Sequence, residues 1–88
     1  MKKFNVEQNR IIYVKDNENL GEVRFIPELN NKININFVYV HPEYRGSGIA
    51  SELMEYVYQY FKEHDKEMIA TCPYAKKWLD KKLEKERI

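Results

Sequence analysis

The chain has 88 residues, enough for a single domain (1–88) with a modest core, because so short a chain buries a smaller share of its surface than a longer one. Its 43% apolar and 14% aromatic content favours a folded globule over disorder. A formal net charge of +1 speaks against nucleic acid or a membrane surface as the main partner, and a single cysteine, Cys72, excludes an internal disulfide and a Cys-based zinc cage, so no metal site is expected.

The opening "MKKFNVEQNR" is basic but lacks the apolar core of a signal peptide, and no apolar stretch approaches membrane-spanning length. The sequence therefore reads as a cytoplasmic protein, a monomer or weak homodimer. The run Arg10 to Lys15 ("RIIYVK") is β-branched and aromatic and reads as a strand, with "DNEN" after it as a turn cluster. A second strand is expected over Gly21 to Ile26, with Val23 and Phe25 on one face and Glu22 and Arg24 on the other, closed by Pro27 and "ELNNK". The third, Lys32 to Val40 ("KININFVYV"), sets Ile33, Ile35, Phe37 and Tyr39 against Asn34, Asn36, Val38 and Val40. Its last residues are apolar on both faces, which predicts cover on both sides there. These three runs suggest an antiparallel meander.

From Ser47 the period changes. Ile49, Ala50, Leu53, Met54, Val57, Tyr60 and Phe61 follow helical spacing, with polar residues elsewhere. "EHDK" ends this helix, with His64 as a cap of its C-terminus. "EMIATC", Glu67 to Cys72, reads as a strand bounded by Pro73. A second helix then carries Ala75, Trp78, Leu79 and Leu83 as its apolar side, and the closing "EKERI" is expected to fray. Strand, helix and strand from Lys32 to Cys72 make a βαβ unit, whose crossover is right-handed and whose strands are parallel. The fold class is α/β with a mixed sheet: a meander, the βαβ unit and a C-terminal helix. Ligands of open α/β sheets sit beyond the carboxyl ends of the strands. Both informative spots, the Arg45 to Gly48 turn and Cys72, fall at that edge.

Two of the three glycines, Gly46 and Gly48, lie in "HPEYRGSGIA" between a strand and a helix. The unpaired N–H groups and the dipole of a helix N-terminus attract anions, and glycine lets an anion approach the backbone closely. Arg45 would add a charge-assisted contact. Together they suit a pyrophosphate. A tight turn that needs glycine for its geometry alone is the plainer alternative. There is no G-x-x-x-x-G-K-[ST] and no third glycine in G-x-G-x-x-G phase, so neither a P-loop nor a dinucleotide fingerprint is present.

The stretch "VYVHPEYRGSGIASELMEYV" resembles the acetyl-CoA signature of the Gcn5-related N-acetyltransferases, an apolar strand followed by V-x-P-x-x-R-G-x-G-[ILV]-[AG] and an amphipathic helix. Val40, Pro42, Arg45, Gly46, Gly48, Ile49 and Ala50 match it. The whole chain is similar to the miniature members of that superfamily, whose last strand runs into C-P-Y or C-S-Y, here Cys72, Pro73 and Tyr74. The resemblance implies an N-acetyltransferase that takes acetyl-CoA as acetyl donor and an unidentified amine as acceptor. A coenzyme A or acyl-CoA binding module without turnover is the alternative. The resemblance also implies that backbone amides of Arg45, Gly46, Ser47, Gly48, Ile49 and Ala50 hold the pyrophosphate. The end of the Phe37 to Val40 strand, with Val38, Tyr39 and Val40 as the cofactor-binding residues, would pair with the pantetheine arm, an N–H near Val38 or Val40 would polarise the thioester carbonyl, and Cys72 is the implied reactive group. Many miniature relatives carry Asp/Glu-His-Thr on the strand before the signature. This chain has Asn36, Phe37 and Val38 there, so a strand-borne histidine base is missing.

Physical chemistry treats Cys72 separately. A thiol before a helix has its pKa lowered, whereas a buried free cysteine is a small apolar residue. Near the thioester it would either stand by while the amine attacks or take the acetyl group itself. His41 is a possible base, or an idle exposed ring before Pro42. Tyr74 either donates a proton, lines the pocket or, the plainer reading, packs its ring under the last helix. Glu22 and Glu28 are possible bases that no spacing selects. Lys76, Lys77, Lys81, Lys82 and Lys85 read as a solvated helix face, with Lys76 or Lys77 reaching a coenzyme A phosphate as the alternative.

Overall fold

In the computed structural model, which describes residues 2–87, the chain order is β1 (Lys2–Val6), β2 (Arg10–Lys15), β3 (Glu18–Glu28), β4 (Lys32–Val40), α1 (Ile49–Glu63), β5 (Glu67–Ala70) and α2 (Pro73–Glu86). The strands pair in sequence order into one sheet. The first three pairings are antiparallel and β4 with β5 is parallel, as the expected meander and βαβ unit require. Two residues, Asp16 and Asn17, join β2 to β3 with φ of 51° and 65°. Positive φ at both positions suits the right-handed twist of a two-residue hairpin, and Asp and Asn tolerate it. β3 runs two residues past its expected end, with Pro27 paired to Ile33.

β1 escaped the sequence reading because the strand is largely exposed. Its one inward ring, Phe4, stacks on Tyr56 at 4.1 Å and meets the edge of Tyr13 at 5.0 Å. β4 departs from strict alternation. Its register with β3 passes from Phe25 opposite Ile35 to Arg24 opposite Phe37, leaving Asn36 as the extra residue of a bulge. The bulge changes which side chains face the core. Ile33 and Ile35 are buried on one side of it. Beyond it Val38 packs on the core, while Phe37 is exposed beneath the Arg24 guanidinium. The expected cover on both faces therefore fails at Phe37, which does not continue the row begun by Ile33 and Ile35, whereas Val38, Tyr39 and Val40 are half-buried.

Both helices share one apolar core with the sheet. Leu53, Met54 and Val57 of α1 are fully buried with Ile11, Val23 and Ile35, and α2 adds Ala75 and Leu79. Tyr58, absent from the expected stripe, is buried too. Its hydroxyl donates to Glu86 Oε1 at 2.6 Å, so helical order persists through Glu86 where fraying was expected; Ile88 lies outside the described residues. Lys82 bridges to Glu55 at 2.7 Å, a second tie between α1 and α2. Among the described residues no helix is long and apolar enough to cross a membrane, and no cluster of His, Cys, Asp and Glu could hold a metal ion.

Candidate active site

The site begins where β4 and β5 part. Their pairing ends with Ile35 opposite Ala70. The Ile35 carbonyl then accepts from the N–H groups of both Thr71, at 3.0 Å, and Cys72, at 3.2 Å, as the chain leaves the sheet. From Phe37 to Val40, β4 is paired along its β3 side alone. The bulge lies at the same point, so twist and loss of pairing together open the sheet toward the carboxyl end of β4.

Beyond β4, His41 starts a 3₁₀ turn over Pro42–Tyr44. The next four residues, Arg45 to Gly48, deliver the chain to α1. Gly46 and Gly48 have φ of 84° and 88°, and a Cβ built on either would meet nothing within 4 Å. Backbone torsion, not crowding, therefore asks for glycine at both, and the space in front of them is open. The turn binds itself through the Ser47 N–H to the Tyr44 carbonyl at 3.2 Å, with the Ser47 hydroxyl donating to the same oxygen. The first α1 bond at this end runs from the Glu52 N–H to the Gly48 carbonyl, and Gly48 has no side chain to cap with. Among the described residues nothing accepts from the N–H groups of Gly46, Gly48, Ile49, Ala50 or Ser51. These are the orphan donors of a helix start, raised in number by the glycine turn.

A hollow of about 290 Å³ lies over this turn. Val40, Arg45, Gly46, Gly48, Ile49 and Ala50 line it, joined by Tyr44, Ser51 and Tyr74. Val38, Tyr39, Ser47 and Cys72 are not on its wall. Arg45 is exposed, and its Nε donates to the Val40 carbonyl at 3.1 Å, fastening the turn to the strand end. Tyr74 is not packed under the helix. It is 43% exposed and faces the hollow, and partial burial raises its phenol pKa, so the ring is protonated at neutral pH. Sequence alone gave no reason to prefer the hollow for Tyr74, because helical spacing alone does not say how α2 is rotated toward the turn.

Cys72 is the N-cap residue of α2, half-buried against the core, with its carbonyl accepting from the Lys76 N–H at 2.8 Å. No hydrogen bond engages its thiol among the described residues. Of the other candidate bases, Glu28 lies opposite Lys32, at the end of β4 remote from the turn, and Glu22 and His41 are engaged. Glu22 is buried on the sheet opposite Tyr39 and accepts from Arg24 Nε at 2.6 Å and Arg10 Nη1 at 3.3 Å. His41 is half-buried rather than idle: its Nδ1 accepts from the Glu43 N–H at 3.2 Å and its ring meets Tyr44. His64 is the C-cap of α1 as expected.

A sequence model of the GCN5-related N-acetyl-transferase family matches residues 10–88, which contain the whole of this site. The chain belongs to that family. Among solved structures, this GCN5-related chain is similar to a GCN5-like protein of Staphylococcus aureus determined by NMR. The identity is 28% and the TM-score 0.72, over 91% of this chain and 79% of that one. A ribosomal-protein-alanine N-acetyltransferase of Brucella melitensis shares the fold at 23% identity and a TM-score of 0.60, over 73% of this chain and 51% of that one. A Bacillus anthracis protein described as a streptothricin acetyltransferase was solved in complex with acetyl coenzyme A. It matches at 24% identity and a TM-score of 0.60, over 73% of this chain and 38% of its own. The chain thus spans about half of the Brucella protein and less of the Bacillus one. No curated protein matched. Acetyl transfer from an acyl-CoA is the general chemistry of the family.

Proposed function

We propose that the protein is an N-acetyltransferase that binds acetyl-CoA at the Arg45 to Ala50 turn and transfers the acetyl group to an amine. The observation that carries this reading is the row of unpartnered amides at Gly46, Gly48, Ile49 and Ala50, facing an open hollow at a helix N-terminus. A pyrophosphate would accept from those N–H groups, and the two glycines leave room for it. Arg45, already anchored to Val40, would add charge beside it. The pantetheine arm would then run along Val38, Tyr39 and Val40, where β4 lacks its β5 neighbour, in the manner of an added strand.

That path brings the thioester toward the point where β4 and β5 separate, beside Cys72. We infer direct attack by the amine, because among the described residues no carboxylate or imidazole hydrogen-bonds to the thiol to prepare it as a nucleophile. The amine nitrogen forms a bond to the acetyl carbon, the carbon–sulfur bond breaks, and the thiolate takes a proton. Cys72 and Tyr74 stand at this end of the sheet as candidate donors of that proton. With Glu22 and His41 engaged, the amine would lose its own proton to solvent.

Native mass spectrometry after incubation with acetyl-CoA tests the reading: one bound cofactor per chain is expected, with no acetyl adduct on Cys72. Absence of any complex would overturn it. A stable complex that acetylates none of a panel of primary amines would instead indicate a module that binds without turnover.

A further inference from the structure

Both helices pack on one face of the sheet, where Ile11, Val23 and Val38 lie side by side across β2, β3 and β4 against the shared core. Side chains alternate along a strand, so the adjoining row, Arg10, Arg24 and Phe37, stands on the opposite face. Glu22, two residues before Arg24, is on that face too and is buried there without a helix above it. It accepts from Arg24 Nε at 2.6 Å and Arg10 Nη1 at 3.3 Å, partners that a carboxylate withdrawn from water requires. Arg10 also donates its Nε to Glu7 at 2.7 Å. Arg24 makes no other side-chain hydrogen bond among the described residues, so both its terminal nitrogens are free. The same guanidinium lies 5.0 Å from the centre of the Phe37 ring, which is 42% exposed. Fixed at Nε and resting on an aromatic face, it presents its terminal N–H groups as a planar fork, the shape that two oxygens of a carboxylate or phosphate match. Phe37 is the first β4 residue past the bulge, so the fork stands where β4 loses its β5 neighbour.

We propose that the acceptor is an amine that also carries an oxyanion, a carboxylate or a phosphate, and that Arg24 is the residue that selects it. The inference rests on the reading of the β4 end as the path of the pantetheine arm. On the helix side of that path Val38 packs against the core. The amine therefore reaches the thioester from the opposite face, past Phe37 and Arg24. An arm added as a strand lies about 5 Å from β4, so a short chain spans from an amine at the thioester to an oxyanion on the fork. Glu22 already holds the guanidinium, so little side-chain freedom is lost when the oxyanion binds. A neutral alkylamine would meet the exposed Phe37 ring but leave the fork unused.

Initial rates at saturating acetyl-CoA test this with three amines of similar length: 4-aminobutyrate, 3-aminopropyl phosphate and butylamine. The better of the two anionic amines should exceed butylamine by about fivefold in kcat/KM, chiefly through KM, the effect of a solvent-exposed forked contact. Which of the two is better tells whether the fork takes a carboxylate or a phosphate. Arg24→Gln should abolish the preference, and Arg24→Lys, which keeps the charge beside Glu22 without the fork, should lose most of it. The Arg24 side chain is 54% exposed and Arg10 still bonds to Glu22, so both variants should fold, with urea denaturation as the check. A second readout needs no turnover: the Arg24 Nε–H resonance, identified by its loss in Arg24→Lys, should shift when the preferred anionic amine is added to the coenzyme A complex and stay in place with butylamine. A parent that acetylates butylamine as well as the anionic amines, a preference that survives in folded Arg24→Gln, or a resonance that no anionic amine moves overturns the assignment and leaves acetyl transfer standing. A parent that binds coenzyme A and acetylates none of the three removes this inference and the transfer reading but not the glycine turn.

Discussion

Replacing Gly48 with aspartate separates the anion seat from the fold. Gly48 is the N-cap of α1 at φ 88° and ψ 2°, with open space where a Cβ would go. An aspartate there incurs about 1 kcal/mol of left-handed strain, a cost that Asp tolerates better than most residues. Its carboxylate would stand before the open N–H groups of the helix start, where a negative charge is favoured, which returns a few tenths of a kcal/mol. The net change in stability should therefore stay within about 1 kcal/mol. Those same amides are the ones proposed for the pyrophosphate. Losing two charge-assisted hydrogen bonds, at about 1.5 kcal/mol each by the lower figure, costs about 3 kcal/mol, or about a hundredfold in Kd. Charge repulsion adds to that. Gly48→Asn fills the same amides without the charge and should fall between parent and Asp. The assay is calorimetric titration with coenzyme A, with urea denaturation as the check on folding. A folded Gly48→Asp protein that binds coenzyme A within about threefold of the parent would refute the reasoning, since the amides could not then be the phosphate seat.

Arg45→Ala should weaken coenzyme A by about tenfold, and a dephosphorylated pantetheine analogue by less, since Arg45 also fastens Val40; equal losses would reduce Arg45 to a brace for the turn. Tyr74→Phe should lower kcat by about a hundredfold with little change in KM for acetyl-CoA if the phenol supplies the thiolate's proton, and an unchanged kcat would leave that role to Cys72 or water. Alkylation of Cys72 by iodoacetamide should slow when coenzyme A is bound, and a rate indifferent to coenzyme A would place the thiol away from the thioester. The Tyr58 hydroxyl, hydrogen-bonded to Glu86 and buried, is pushed up to about 12, above its unfolded value near 10. Its contribution is therefore complete below pH 10 or so and is lost as pH rises toward 12, so Tyr58→Phe should flatten that part of the stability–pH curve; an identical curve in the variant would show that the bond contributes nothing.

The local patterns that carry chemistry were readable without any fold. The signature from Val40 to Ala50 names its own turn and helix start, because positive φ and orphan amides belong to a few consecutive residues. The α1 stripe through Leu53, Met54 and Val57 was equally plain, since helical period is a local count and these side chains are fully buried. The parallel pairing of β4 with β5 followed from chain order and the handedness of crossovers. What distant segments do to one another was not readable. β1 has little apolar pattern, because an edge strand buries one ring and leaves the rest exposed. The bulge at Asn36 turns Phe37 outward and Val38 inward, and a one-residue change of phase is visible only against the partner strand. Tyr74 faces the hollow, and Lys81, Lys82 and Lys85 face the groove between the helices, because α2 packs beside α1 at one rotation, fixed by Trp78 on Ser51, Lys82 on Glu55 and Glu86 on Tyr58. The sequence supplied each helix face separately, and only their packing decided which residues share a wall with the glycine turn.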